Sequence, residues 1–437
     1  MTADESGPRG ERRFRKTKLP NWLTCLKEVD VRTHDRLPLA VSIGALALIA
    51  ITYVVNAMDR LVFPTLLAHV DAEYGFSLAA GGFLATIFTL GLGIGGIPGA
   101  YLFEHRSRKF VAISGIVIYS ACTILTCFSF GFYDMALYRA ISGVGEAFQN
   151  AAIFTMAGAY FSQNRTFAFG VLNLAYALGS FIGPRWGGHL LSDSGSWRLP
   201  LVIYGLLGFG GAALLQVLVS RKFSEESVQD DYSKGTSEAH IPNRLINRNT
   251  VLVTLASAGG GLAAYGYLGL YPTFLRNELN FSVEAAGAAA SMYGAGACTG
   301  IVCGYIADRV NQKWLTIGTL VALNAAGYAI FNLATTPQSQ SVLSFIEGAA
   351  FSGFLFVNNY SLMQRSVRSP IIGRASGLML AAINLPAAFS GYMMAKLVTA
   401  FGWSTAALLQ MSLLLIIPTI GMFFFDPAQT SRVTGKD

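Results

Sequence analysis

The chain has 437 residues, of which 53% are hydrophobic and 13% charged, with a formal net charge of +7. A soluble protein carries roughly 25% charged residues, so there is too little charge to wet the two or three domains this length would make. Basic residues lie in gaps between apolar runs, not in an aromatic-laced patch, which argues against a nucleic-acid partner; the cysteines (Cys25, Cys122, Cys127, Cys298, Cys303) form no CxxC or Cys/His cluster, which argues against a disulfide framework or a zinc site.

Residues 1–37 are polar and read as a cytoplasmic tail, not as a signal peptide. Within them Leu19, Trp22, Leu23, Leu26 and Val29 recur at helical spacing beside Lys18 and Lys27, which predicts an interfacial amphipathic helix over 18–31. Apolar runs of bilayer length, ~20 residues, then follow at 38–68, 79–103, 110–130, 132–160, 166–191 and 198–220. The polar stretch 221–248, with Glu225, Glu226, Asp230, Asp231 and Lys234, reads as a cytoplasmic linker. Six more runs lie at 249–276, 284–307, 314–334, 339–364, 372–399 and 403–425, before a second tail, 426–437. The expected fold is an all-α membrane protein with twelve transmembrane helices in two pseudo-symmetric six-helix bundles, 38–220 and 249–425.

Lys and Arg set the orientation. Arg106, Arg108, Lys109, Arg165, Arg221, Lys222, Arg309, Lys313, Arg365, Arg368 and Arg374 fall on the side of the tails. The other side carries Arg198 and Arg276 near helix ends and the acids Asp71, Glu73, Asp134 and Asp193. Both termini are therefore expected in the cytoplasm of a cell (inner) membrane.

Ionisable groups inside spans are costly and usually mark ion or substrate paths. Span one carries Asn56-x-x-Asp59-Arg60, and span four carries Arg139-x3-Gly143-x-Gly145-Glu146-Ala147. Arg139 and Glu146 stand two turns apart on one helical face, where Asp59 and Arg60 can meet them. Two acids and two bases form a neutral cluster in which one proton alters the packing; a static internal salt-bridge cluster is the competing reading. Glu347 in span ten is a possible second proton site, near the position that the repeat assigns to Gly143. Tyr176, Tyr265, Tyr293, Asn358 and Asn384 fall near mid-span, where they can hydrogen-bond a substrate or join neighbouring helices. Lys396 and Arg185 are expected to snorkel.

The two halves repeat. Ala100-Tyr-Leu-Phe-Glu104-His105-Arg106-Ser107-Arg108-Lys109 and Gly304-Tyr-Ile-Ala-Asp308-Arg309-Val-Asn311-Gln312-Lys313 stand 204 residues apart, and Gly195-Ser-Trp197 and Phe401-Gly-Trp403 stand 206 apart. At these residues the chain resembles the major facilitator superfamily, whose inner loop reads G-x-x-x-D-R-x-G-R-K. The second copy matches at Gly304, Asp308, Arg309 and Lys313; the first departs, with Ala for Gly, Glu104 for Asp and His105 for Arg. The resemblance covers 38–425 and implies a gating latch at Glu104, Arg108, Asp308 and Arg309. Gly170-x8-Gly179-x3-Gly183-Pro184-x2-Gly187-Gly188 in span five is similar to the glycine-proline motif of the superfamily's proton-coupled antiporters, implying a gating role for Gly183 and Pro184; a Gly-rich helix that merely packs closely is the alternative.

Asp59-Arg60 with Arg139 and Glu146 resembles two branches, the organic-anion symporters and the spinster-type exporters of lipids and amphipaths. What the resemblance implies is proton coupling at Asp59 and Glu146, pairing or gating at Arg139, and carboxylate binding at Arg60. The expected activity is proton-coupled secondary transport of a small organic solute, an organic anion in its first form and an exported amphipathic lipid or drug in its alternative. The expected partners are that solute, protons and the bilayer, with no cofactor beyond the proton gradient, no metal, and a monomeric state. An enzyme would need a nucleophile-base pair or a metal cluster; no GxSxG, HExxH or Walker loop is present. A transporter-like sensor without turnover has only the long tail in its favour.

Overall fold

The computed structural model describes residues 37–161, 165–225, 240–307, 310–368 and 371–430, and among them there is no strand. Leu39–Asp437 forms one compact unit, and the other unit, Met1–Pro38, lies almost wholly outside the described residues. The amphipathic helix expected at 18–31, the middle of the linker, Asp308, Arg309 and the end of the second tail fall outside them too, as does the side chain of Glu104.

The described residues form twelve helical spans, as expected of a twelve-helix membrane protein. They are α1 (Leu39–Tyr74), α2 (Leu78–Thr86 continuing as Phe88–His105), α3 (Arg108–Thr126), α4 (Phe132–Tyr160), α5 (Arg165–Ser194) and α6 (Arg198–Leu218). After one helical turn at Arg221–Ser224 come α7 (Arg248–Asn277), α8 (Val283–Ala297 continuing as Gly300–Ala307) and α9 (Gln312–Asn332). α10 runs as Pro337–Gly348, a π-helical stretch Ala349–Leu355, and Phe356–Arg365. α11 starts as Ile372–Ala387 and resumes at Ser390; Gly402, at φ 78°, turns the chain into α12, which ends with Leu414–Met422. At 1.5 Å per residue each helix reaches about the ~30 Å of a hydrocarbon core.

Local chemistry fixes where the helices start, and does so twice. Ser77 Oγ accepts the Ala80 N–H at the start of α2, and Ser282 Oγ accepts the Ala285 N–H at the start of α8. Ser107 Oγ accepts the Phe110 N–H at α3, and Asn311 Oδ1 accepts the Lys313 N–H at α9. These caps satisfy amides that a helix leaves unbonded. The lysines of the two repeated loops close the other end. Lys109 Nζ donates to the carbonyls of Gln216 and Val219, both at 2.7 Å, at the end of α6. Lys313 Nζ donates to the carbonyls of Phe423 (2.7 Å) and Phe425 (3.2 Å) at the end of α12. A cation on these C-terminal carbonyls also complements the helix dipole.

The tightest crossings repeat as well. A Cβ on Gly143 of α4 would strike the Phe88 carbonyl of α2, and one on Gly348 of α10 would strike the Tyr293 carbonyl of α8. Gly91 against Ala140 and Gly296 against Phe345 form the same pair one turn away. This register is 205 residues, so Glu347 stands at the place of Ser142, one residue from the place of Gly143 that the loop offset gave. The difference arises because the loops and the helix crossings carry slightly different offsets.

Twelve crossings return the chain to one face, the terminal face; the opposite one is the distal face. The halves meet through α2 on α11, α5 on α8 and α1 on α7, contacts that the repeat exchanges or maps onto themselves. Gly82 abuts the Gly391 carbonyl, Thr86 Oγ1 donates to the Ala388 carbonyl at 3.0 Å, and Gly287 abuts the Pro184 carbonyl. His189 of α5 pairs with Glu284 of α8 at 3.2 Å. All four contacts lie toward the distal ends of their helices, so the halves are sealed against each other on that side.

Candidate functional site

α1, which carries two of the central charges, packs closely on α5: Cβ atoms on Gly179 and Gly183 would meet the backbone of Val54 and Met58. Pro64 in α1 lacks the amide that would bond the Arg60 carbonyl, and a proline there bends the helix at that turn. From that turn Arg60 Nε donates to Glu146 Oε2 at 2.6 Å, and Arg60 Nη2 donates to Asn56 Oδ1 at 3.1 Å. The two side chains of the ion pair are 7% and 2% exposed. Asn56 Nδ2 passes on to Gln149 Oε1 at 3.0 Å, and Gln149 Nε2 to Thr52 Oγ1 at 3.1 Å, so α1 and α4 are stitched over two turns. Ser142 Oγ reaches the other Glu146 oxygen at 3.5 Å.

Asp59 points to α3, where Thr123 Oγ1 donates to its Oδ2 at 2.7 Å, while its Oδ1 is buried without a hydrogen bond. Arg139 is buried with its guanidinium over Phe63 (4.3 Å to the ring centre) and near Phe88 (5.4 Å), and its Nε and Nη2 find no acceptor. Phe88 and Tyr176 also flank the Arg60 guanidinium, at 5.9 and 5.6 Å. Cation–π contacts of this kind are worth about 0.5–2 kcal/mol. Tyr53 lies 6.0 Å from Tyr176, and Tyr265 of α7 lies 6.1 Å from Phe88. The result is a neutral four-charge cluster walled by aromatic rings from both halves.

Of the residues singled out in the sequence, Asp59, Arg60, Arg139, Glu146, Tyr176 and Tyr265 gather here. Tyr293 lies in the second half, where its hydroxyl meets Ser352 Oγ at 2.5 Å. Asn358 is in the α9–α10 seam, donating to the Gln312 carbonyl (2.9 Å) and Thr316 Oγ1 (2.8 Å). Asn384 donates to the Leu380 carbonyl of its own helix. Neither amide joins the cluster. Gly183 and Pro184 sit at the α1–α5 and α5–α8 contacts, and Tyr204 Oη donates to the Gly183 carbonyl at 2.9 Å. At the terminal face Glu225, read only as linker charge, accepts the backbone N–H groups of Arg108 (3.1 Å) and Lys109 (3.2 Å).

Sequence reading passed over Phe63, Phe88, Thr123, Gln149 and Ser142. One signal was available: Phe63-Pro64-Thr65 and Tyr271-Pro272-Thr273 repeat at an offset of 208. It marks equivalent prolines inside α1 and α7, and both threonine hydroxyls are buried without hydrogen bonds.

Twelve helices in two repeated halves, with a charged cluster buried in the first, give the chain the fold of a multi-pass membrane transporter. The chain belongs to the Major Facilitator Superfamily, whose family model matches residues 49–391. It is 28% identical over 239 residues to Sphingosine-1-phosphate transporter SPNS2 of Xenopus tropicalis, covering 54% of this chain and 46% of that protein. The match to the Cis,cis-muconate transport protein of Acinetobacter baylyi is 24% over 339 residues, 74% of this chain and 79% of that one. The chain spans about half the length of the SPNS2 proteins it matches, 46% to 59% of them. In fold it is similar to the crystal structure of a bacterial homologue of the human lysosomal transporter Spinster, with a TM-score of 0.67 and 18% identity over 90% of this chain and 97% of that one. These relatives are transporters, and this chain has the multi-pass membrane fold of the superfamily.

Proposed function

We propose that this chain is a proton-coupled, alternating-access carrier of a small organic anion, with both termini in the cytoplasm. The observation that carries the reading is the buried Arg60–Glu146 pair at 2.6 Å. A proton on Glu146 removes the counter-charge of Arg60 and leaves the cluster with one positive charge in excess. A carboxylate arriving on Arg60 restores neutrality; either ligand alone leaves a net charge away from water, which costs several kcal/mol. Proton and anion therefore load together. The unbonded Nε and Nη2 of Arg139 offer a second pair of donors to the anion, and Asp59 Oδ1 is a second place for a proton. In the described state the halves are sealed against each other at the distal face.

A second reading, proton-driven export of an amphipathic lipid or drug, is favoured by the aromatic walls of Tyr53, Phe88, Tyr176 and Tyr265 around Arg60 and by the likeness to SPNS2. The deciding experiment follows internal pH in proteoliposomes holding the purified protein. Internal acidification as carboxylates enter supports symport of an anion. Failure of every carboxylate, with alkalinisation as lysolipids or cationic amphipaths enter, sinks it in favour of the exporter.

A further inference from the structure

The second half carries an acid of its own. Glu347 of α10 is fully buried, and neither of its carboxylate oxygens has a hydrogen-bond partner. Tyrosine hydroxyls of α7 and α8 are committed elsewhere. Tyr267 Oη of α7 donates to Ser344 Oγ at 2.7 Å, Tyr271 Oη of α7 to the Gln340 carbonyl at 3.2 Å, and Tyr293 of α8 is bonded to Ser352. Tyr267 and Tyr293 are the titratable groups within electrostatic reach of Glu347. α9, also packed on α10, carries only Lys313 at its terminal-face start and the exposed Tyr328. Among the described residues no Lys, Arg or His pairs with Glu347.

An ionised carboxylate stripped of every donor inside a membrane protein is among the costliest groups a fold can hold. Something must neutralise it. The site is at the tightest crossing of α8 and α10, where Gly348 lies against the Tyr293 carbonyl. Among the described residues no group of His, Cys, Asp or Glu is placed to hold a metal ion. A proton is the cation that fits.

We propose that Glu347 is a second proton-binding site, independent of the Arg60–Glu146 cluster and loaded in the distally sealed state. The proton binds a carboxylate oxygen and leaves when α8 shifts against α10 and water or the freed Tyr293 phenol reaches the group. Its part in transport rests on the proton-coupled reading above; its occupancy does not. With one proton on the cluster, one on Glu347 and a monovalent anion, each cycle moves one net positive charge. Uptake is then accelerated by an inside-negative membrane potential.

The test has two arms, both on the full chain in lipid. Infrared difference spectra of wild type against Glu347→Gln should show a protonated-carboxyl carbonyl band that deuterium shifts and the variant lacks. In proteoliposomes Glu347→Gln should keep carboxylate uptake driven by a pH gradient but lose its several-fold acceleration by a valinomycin-set potential. Glu347→Asp, which keeps a carboxyl, should keep both signatures, guarding against a folding defect in the amide variant. Identical infrared spectra for wild type and Glu347→Gln, or an undiminished voltage response, overturn the proposal. PH-driven uptake surviving in Glu146→Gln would instead remove the reading of the first cluster, with the infrared arm still deciding Glu347.

Discussion

Removing Glu146 tests whether the central pair is a coupling device or a static strut. Glu146 meets Arg60 at 2.6 Å and Ser142 at 3.5 Å, and its side chain is 2% exposed. At an effective dielectric near 20, two unit charges ~4 Å apart attract by about 4 kcal/mol. Stranding one member of such a buried pair costs about 3–5 kcal/mol, and Glu146→Ala should cost that much. Glu146→Gln keeps an acceptor for Arg60 Nε and should lose roughly half of it. Replacing both partners, Arg60→Leu with Glu146→Leu, should be neutral or stabilising by about 1–4 kcal/mol. Unfolding is read with a thiol-reactive dye, because Cys122, Cys127 and Cys303 are free and buried. The same variants are assayed in proteoliposomes. Glu146→Gln should abolish accumulation driven by a pH gradient yet retain solute-for-solute exchange, since Arg60 is still present to bind. A Glu146→Ala protein that melts with wild type would refute the energetic argument. Accumulation by Glu146→Gln at the wild-type level would refute coupling at this residue.

Arg139→Lys removes a planar guanidinium from between Phe63 and Phe88; a loss of about 1–2 kcal/mol should weaken substrate binding by roughly 5- to 30-fold, measured by ligand-induced thermal shift. Gly143→Ala and Gly348→Ala insert a methyl at equivalent crossings and should each destabilise by about 1–3 kcal/mol; wild-type melting of either variant would show that its crossing relaxes freely. Cysteines at His189 and Glu284, whose side chains meet at 3.2 Å across the halves, should crosslink under oxidation, stop transport, and release it on reduction. Lys109→Ala and Lys313→Ala should each cost about 1 kcal/mol, additively in the double variant because the two sites share no partner, as read by the same dye.

The membrane fold was legible because bilayer thickness sets a length that apolar runs reveal directly, and because the span-one and span-four charges are too costly to sit there idly. Span boundaries shifted only at helix ends, as for α1, which continues to Tyr74. What stayed hidden were partners set by helix rotation. Nothing in the spacing of Thr123 marks it as the donor to Asp59, and Phe63 and Phe88 are ordinary apolar residues until Arg139 lies over them. Asn358 shows the converse. An amide at mid-span looks available in sequence, but α10 turns it toward Gln312 and Thr316 of α9. Depth is readable from a sequence; azimuth is much less so.

The repeat explains why the charge is unequal between the halves. Asp59 and Tyr267 each stand five residues before the prolines Pro64 and Pro272, and Arg139 and Ser344 each stand four before the crossing glycines Gly143 and Gly348. The second half thus holds a neutral copy of the first: a tyrosine donating to a serine at 2.7 Å where the first half sets an acid in the field of an arginine. A neutral pair stays satisfied whatever the protonation or substrate state, so it can hold α7 to α10 throughout a cycle. A charged cluster cannot, because each proton or anion gained changes its balance. Division of the two roles between equivalent crossings lets one half keep its packing while the other responds. Among the described residues Glu347, set beside the neutral pair without a hydrogen bond, is the one buried acid of the second half that can couple that packing to a proton as well.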